Sequence, residues 1–179
     1  MSMKLLPGQR VPPLTAGLAA GGSFDLAAET PETFTVVFFY RGLHCPICKR
    51  QLTEIAERLD GFTALGAGTI AVSMDSEERA REVAQTWPVD SLRIGYNLTA
   101  DDAREWGLFV SKATKDLEPP YFVEPGTFVV KPDGTLYAQY LQSVPFARPH
   151  ADDLIAGLRF VIDHDYPIRG TVDPTTHER

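Results

Sequence analysis

The stretch from Thr35 to Leu59 constrains this chain more than any other. In it an unbroken apolar run, Val36-Val37-Phe38-Phe39-Tyr40, passes through Arg41-Gly42-Leu43-His44 into Cys45-Pro46-Ile47-Cys48. A short β-branched and aromatic run without alternation is the pattern of a strand buried on both faces. Pro46 suits the first helical position, where its missing N–H costs nothing, and Gly61 suits a stop just past Asp60. The stretch therefore predicts a strand, a turn at Arg41-Gly42 and a helix from Pro46 to Asp60, with Cys45 at its N-cap. Cys48, Leu52, Ile55 and Leu59 then recur at spacings of four, three and four, which makes them the stripe facing the sheet.

Free N–H groups and the dipole at a helix N-terminus favour a thiolate at Cys45, lowering its pKa from about 8.5 into a range of roughly 3.5 to 7.5. Cys48, one turn further and turned inward, is expected to remain a thiol until it attacks. Two cysteines three apart on a helix can close a disulfide, so oxidation at Cys45 has a partner beside it. The competing reading is half of a structural zinc site. Such sites need four ligands, and the chain has no third cysteine, while His150, His164 and His177 lie far downstream of His44. The pair reads as redox-active, with no metal and no cofactor expected.

The chain has 179 residues, of which 44% are hydrophobic and 23% charged, which suits one globular domain. A net charge of −7 with no dense basic cluster argues against nucleic acid as a partner. The start, Met1 to Gly8, has too short an apolar stretch for a signal peptide, and no segment approaches the roughly 20 apolar residues that span a bilayer. A soluble, cytoplasmic protein is expected, and two cysteines in such a chain indicate thiol chemistry rather than a disulfide scaffold.

Around the central stretch, Gly21-Gly22 with Ser23-Phe24-Asp25-Leu26 suggests a small N-terminal hairpin. Thr69 to Met74 is a second strand, parallel to the first. Asp75 and Glu78 form a capping box for a helix that buries Ala80, Val83, Ala84 and Trp87 and ends at Pro88. A short strand is placed at Leu92 to Tyr96, and Thr99 caps a short helix that buries Ala103 and Trp106 before Gly107. Leu108 to Tyr121 has the composition of a long surface loop, placed over the active site. Thr127 to Val130 and Thr135 to Tyr140 flank Lys131-Pro132-Asp133-Gly134 as an antiparallel hairpin. The last helix is predicted from Pro149 to His164, with Leu154, Ile155, Leu158, Val161 and Ile162 facing the core. The sum is an α/β sandwich around a mixed sheet, with an N-terminal extension and a mid-chain insertion.

That order, with Cys-x-x-Cys opening the first helix, resembles the thioredoxin fold. Val72-Ser73-Met74-Asp75-Ser76, Gly126-Thr127-Phe128-Val129-Val130 and Pro145-Phe146-Ala147-Arg148 resemble the peroxiredoxin branch, which includes alkyl hydroperoxide reductase and thiol-specific antioxidant proteins. The likeness covers roughly residues 5 to 165, within a redox domain placed at 1–166 ahead of a loose tail at 167–179. It implies that Arg148 matches a family arginine. The pattern also departs from the family, whose proline and threonine or serine ahead of the cysteine are Phe38 and Gly42 here, and whose second arginine is replaced by Pro125. Pro125 falls near the place of the cis-proline of thioredoxins. Arg41 and His44 flank Cys45, where a cation would lower its pKa further.

The candidate catalytic residues are therefore Cys45, Cys48, Arg148, His44 and Arg41. The expected activity is reduction of a peroxide through a Cys45 sulfenic acid and a Cys45–Cys48 disulfide, which a thioredoxin-like or small-thiol reductant reopens. The alternatives are a thiol-disulfide oxidoreductase acting on protein disulfides, and a non-catalytic metal-binding or redox-sensing module. The resemblance also leaves a homodimer open.

Overall fold

Strands β-branched and aromatic on both faces must be covered on both sides, and the chain supplies helices for each. In the computed structural model, which describes residues 5–173, chain order runs β1 (Thr15–Leu18), β2 (Ser23–Asp25), β3 (Thr35–Phe39), α1 (Pro46–Glu57), α2 (Leu59–Thr63), β4 (Gly68–Val72) and α3 (Glu77–Thr86). It continues through β5 (Ile94–Tyr96), α4 (Ala100–Glu105), β6 (Val110–Lys112), β7 (Tyr121–Val123), β8 (Gly126–Val130), β9 (Leu136–Leu141) and α5 (Ala151–His164). Met1 to Lys4 and residues 174–179 of the expected tail lie outside the described residues.

The main sheet has the order β2-β1-β5-β4-β3-β8-β9. β3 runs parallel to β4 and antiparallel to β8, so the sheet is mixed. Val36, Phe38 and Tyr40 point to the face covered by α1, α3 and α5, where Cys48, Leu52, Ile55, Val83, Leu154 and Leu158 are buried. Val37 and Phe39 point to the other face, where Ala103 and Trp106 of the α4 segment meet Phe128 and the N-terminal Leu14 and Phe24. Trp106 forms edge-to-face contacts with both Phe39 and Phe128, and Trp87 packs on Tyr40. The architecture is the expected α/β thioredoxin-like fold.

Several elements differ from expectation. The first helix breaks at Arg58, whose φ of −111° and ψ of 10° leave helical space, and the chain restarts as α2. Gly61 is therefore no stop signal. A Cβ there would lie 2.7 Å from Ile155 Cδ1, so the glycine lets α5 approach closely. Phe62 rather than Leu59 continues the buried stripe. The N-cap of α3 is Ser76, not Asp75, because Asp75 is drawn away into a buried role described below. On α5 Ile162 is 37% exposed, since the stripe has rotated off the sheet by the last turn. Within the expected loop, Val110–Lys112 pairs with Tyr121–Val123 as an antiparallel ribbon, Val110 opposite Val123 and Lys112 opposite Tyr121, while residues 113–120 between them stay irregular. The ribbon's register was hidden because three-residue strands carry almost no periodicity. Thr99 does cap α4, in a reciprocal box with Asp102.

Two sheet registers bring distant residues to one place. Phe39 pairs with Val72 in parallel, so the chain leaving β4 reaches Asp75 beside Gly42. Phe39 also faces Gly126 in antiparallel, so the chain entering β8 delivers Phe122 and Glu124 to the same end.

Candidate active site

Cys45 is the N-cap of α1, with extended backbone (φ −104°, ψ 104°), and its Sγ accepts the Cys48 main-chain N–H at 3.2 Å. The turn ahead of it is held from beneath. Gly42 has a φ of 123°, open to glycine and rarely to other residues, and the buried Asp75 carboxylate lies directly under it. Asp75 accepts the Leu43 N–H at 2.8 Å and the Arg79 Nε–H at 2.8 Å. The strand-to-helix turn is thus pinned to β4 as well as to β3.

Both cysteines are free and both are buried, Cys45 at 1% and Cys48 at 0% exposure. Arg148 spans the pair, with Nη2 3.2 Å from Cys48 Sγ and 3.8 Å from Cys45 Sγ. Its position is set by Gln51, which accepts from Nη1 at 2.7 Å, and by the Pro145 carbonyl, which accepts from Nε at 2.9 Å. Arg41 comes from the opposite side, its Nη1 4.0 Å from Cys45 Sγ and its main-chain N–H 3.4 Å from Cys48 Sγ.

These contacts divide the two thiols. The side-chain hydrogen bond from Cys48, then its main-chain N–H and the Arg148 and Arg41 guanidinium groups, outweigh burial and bring Cys45 from the ordinary 9.0 down to about 5. Burial, followed by the hydrogen bond and charge of Cys45, pushes Cys48 well up despite Arg148. Cys45 is a thiolate at neutral pH and Cys48 a thiol. The ultraviolet absorbance of the thiolate, followed against pH in the reduced protein, should therefore rise with a midpoint near pH 5. A midpoint at the pKa of free cysteine would show that the N-cap and the two arginines leave Cys45 unactivated.

Arg41 is itself restrained by the β6–β7 ribbon and by the loop that joins its strands. Glu118 Oε1 lies 3.4 Å from Nη2, Glu124 Oε2 3.3 Å from Nε, and the Phe122 ring sits 4.6 Å from Cζ. Glu124 is also held by the Ser111 hydroxyl, which donates to it at 2.6 Å. His44 does not serve as a second cation. Its ring packs against Phe122 with centroids 4.7 Å apart, and burial, then Arg41, lowers its pKa, so it is neutral at pH 7. Of the five expected residues the structure brings Cys45, Cys48, Arg41 and Arg148 together and turns His44 aside.

Gln51, Asp75, Glu118 and Glu124 were not anticipated. Gln51 alone left a trace, as a polar residue three positions after Cys48 on a stripe that is otherwise apolar. Pro125, like every described peptide bond, is trans. A cleft of about 170 Å³ is lined by Ile47, Gln51, Phe146 and Arg148 among others, and by neither cysteine. A larger cavity of about 350 Å³ lies at the other end of β3, against Thr35, Val130 and Pro132, away from both sulfurs.

A thioredoxin-type sheet with an N-cap thiolate, a buried partner thiol and two guanidinium groups over them defines a thiol redox protein. The family model that matches residues 7–139 bears the description AhpC/TSA family. The chain belongs to that family, the peroxiredoxins, and is a thiol-dependent peroxidase. The match ends before Arg148, which only the structure brings to the cysteines. Two relatives with provisional peroxiredoxin names, from the CDC 1551 / Oshkosh and H37Rv strains of Mycobacterium tuberculosis, are each 28% identical over 142 residues, covering 76% of this chain and 86% of theirs.

Among solved structures, Enterococcus faecalis AhpC superposes with a TM-score of 0.74 at 17% identity, covering 96% of this chain and 100% of that one. Mycobacterium tuberculosis peroxidoxin BcpB gives 0.72 at 20% identity, covering 88% and 98%. These two likenesses establish the fold. Among the described residues no helix is long and apolar enough to cross a membrane.

Proposed function

We propose that Cys45 cleaves the O–O bond of a peroxide and that Cys48 resolves the product. The observation that carries this reading is Cys45 at a helix N-cap, its Sγ accepting the Cys48 main-chain N–H at 3.2 Å, with two guanidinium groups within 4.0 Å. In the first step Cys45 Sγ attacks one peroxide oxygen. An S–O bond forms, the O–O bond breaks, and the departing alkoxide or hydroxide takes a proton from water, leaving a sulfenic acid. Arg148 and Arg41 supply positive charge where that leaving oxygen develops negative charge. They take over the role of the hydroxyl that the family carries at the position of Gly42.

In the second step Cys48, as thiolate, attacks the sulfenic sulfur. The S–S bond forms and hydroxide leaves as water. A thioredoxin-like or small-molecule thiol then returns two electrons and frees both cysteines. Stopped-flow mixing of reduced protein with hydrogen peroxide and with an organic hydroperoxide, beside a model disulfide, tests the reading. Oxidation of Cys45 is expected about a hundredfold or more faster than free cysteine at equal pH. A rate no greater than that of free cysteine would rule it out, and faster reaction with the disulfide would move the assignment to thiol-disulfide exchange.

A further inference from the structure

The cavity beside Thr35 takes no part in the sulfur chemistry, yet it is built like a ligand pocket. We propose that it binds a small carboxylate with an apolar body, held by Arg10, Lys131 and the Thr35 hydroxyl. The inference is independent of the peroxidase reading, because neither cysteine lines the cavity.

Its walls come from the N-terminal segment, the turn at 26–28, the start of β3 and the turn between β8 and β9, and they enclose about 350 Å³. That is the small end of the range for ligand pockets, roughly 300 to 1,000 Å³. Pro12, Pro13, Pro31 and Pro132 line it together with Val11 and Val130. Proline rings fix φ, so these walls stand ready without a ligand to order them.

The polar groups on the lining are unequally satisfied. Thr35 is 2% exposed, yet its hydroxyl makes no hydrogen bond among the described residues. Thr35 pairs with Val130 across β3 and β8, which brings it close to Lys131. Arg10 is fixed by its bridge to Thr135 and lies against Gly134, where a Cβ would stand 3.7 Å from Arg10 Cζ. Neither Arg10 nor Lys131 forms an ion pair among the described residues. The two carboxylates on the lining are already engaged. Glu29 holds the Arg93 guanidinium with both oxygens, at 2.9 and 2.8 Å, and Asp133 accepts the Thr135 N–H at 2.9 Å. That bond, ahead of the more distant Lys131 and Arg10, keeps the Asp133 carboxyl below the usual carboxylate range. Three donors without acceptors beside apolar walls call for an anion whose remainder is hydrocarbon.

Titration of isotope-labelled protein with sodium octanoate, followed by nuclear magnetic resonance, tests the proposal without peroxide. Saturable shifts are expected at the Thr35, Val130, Lys131 and Gly134 amides. Octanol, the same chain without the charge, should bind about tenfold or more weakly. Arg10→Gln combined with Lys131→Gln should erase that preference while peroxide turnover stays parental. Thr35→Val keeps the shape, removes the hydroxyl and should weaken octanoate roughly threefold. The comparison of octanoate with octanol uses the parent protein and holds even if a variant folds poorly. No saturable shift, shifts centred instead on the exposed Phe146 or Phe160, octanol binding as tightly as octanoate, or a double variant that keeps the preference would each overturn the proposal.

Discussion

Cys45→Ser is expected to lower peroxide turnover by roughly three orders of magnitude or more, since a serine hydroxyl at this N-cap is neither ionised at pH 7 nor able to form a sulfenic acid. Cys48→Ser should behave differently. The main-chain N–H at position 48, 3.2 Å from Cys45 Sγ, and the two guanidinium groups are untouched, so the thiolate survives. A single turnover then proceeds and stops at the sulfenic acid, because the resolving sulfur is gone. Capture with a sulfenic-acid-specific reagent and mass analysis separates the two variants. Were Cys48→Ser inert toward peroxide while Cys45→Ser still turned over, the roles assigned to the pair would be reversed.

Gly42→Ala should unfold at lower denaturant, with a loss of about 2–4 kcal/mol, combining a strained left-handed backbone with overpacking of a filled site. A Cβ at Gly42 would lie 2.7 and 2.8 Å from the Asp75 carboxylate oxygens, at a φ of 123°. Those oxygens cannot retreat cheaply, because one is bonded to the Leu43 N–H and the other to Arg79, each at 2.8 Å. The damage should reach the chemistry too. Displacing the 41–44 turn moves the N-cap, so the midpoint of Cys45 ionisation is expected to climb from near 5 toward that of a free thiol. Urea denaturation and thiolate absorbance measure the two effects on one sample. An alanine variant with the parental midpoint in urea would show that Asp75 does not clamp the turn.

The amino-acid order made the pair readable because its signals are local. A buried strand, a glycine turn, proline at the first helical position and a four-three spacing all act within a few residues of Cys45, and each is set by backbone stereochemistry. The same holds for Gly21-Gly22, which turns the β1–β2 hairpin with positive φ at both glycines, and for Thr99 at the start of α4. His44 is different, because adjacency in the chain says nothing about rotamer. Its ring follows Phe122, a residue far downstream.

What surrounds the sulfurs was decided by pairing across the sheet and by loop return. Asp75 looked like a helix cap, since an acidic residue before Glu78 fits that pattern. The parallel register of β3 with β4 places it under Gly42 instead, and Ser76 takes the cap. Glu118 and Glu124 reach Arg41 only because β6 and β7 pair into a ribbon and β8 runs antiparallel to β3. The sequence by itself determined the fold class, the N-cap thiolate and its inward partner, because propensity and periodicity are properties of neighbouring residues. Arg41 and Arg148 could be named from adjacency and from the family resemblance, but only the tertiary structure decided their distances to the sulfurs and the carboxylates that hold Arg41. Arg148, about a hundred residues from Cys48, is brought to 3.2 Å by the packing of α5 beside α1, and no local pattern encodes a contact of that range.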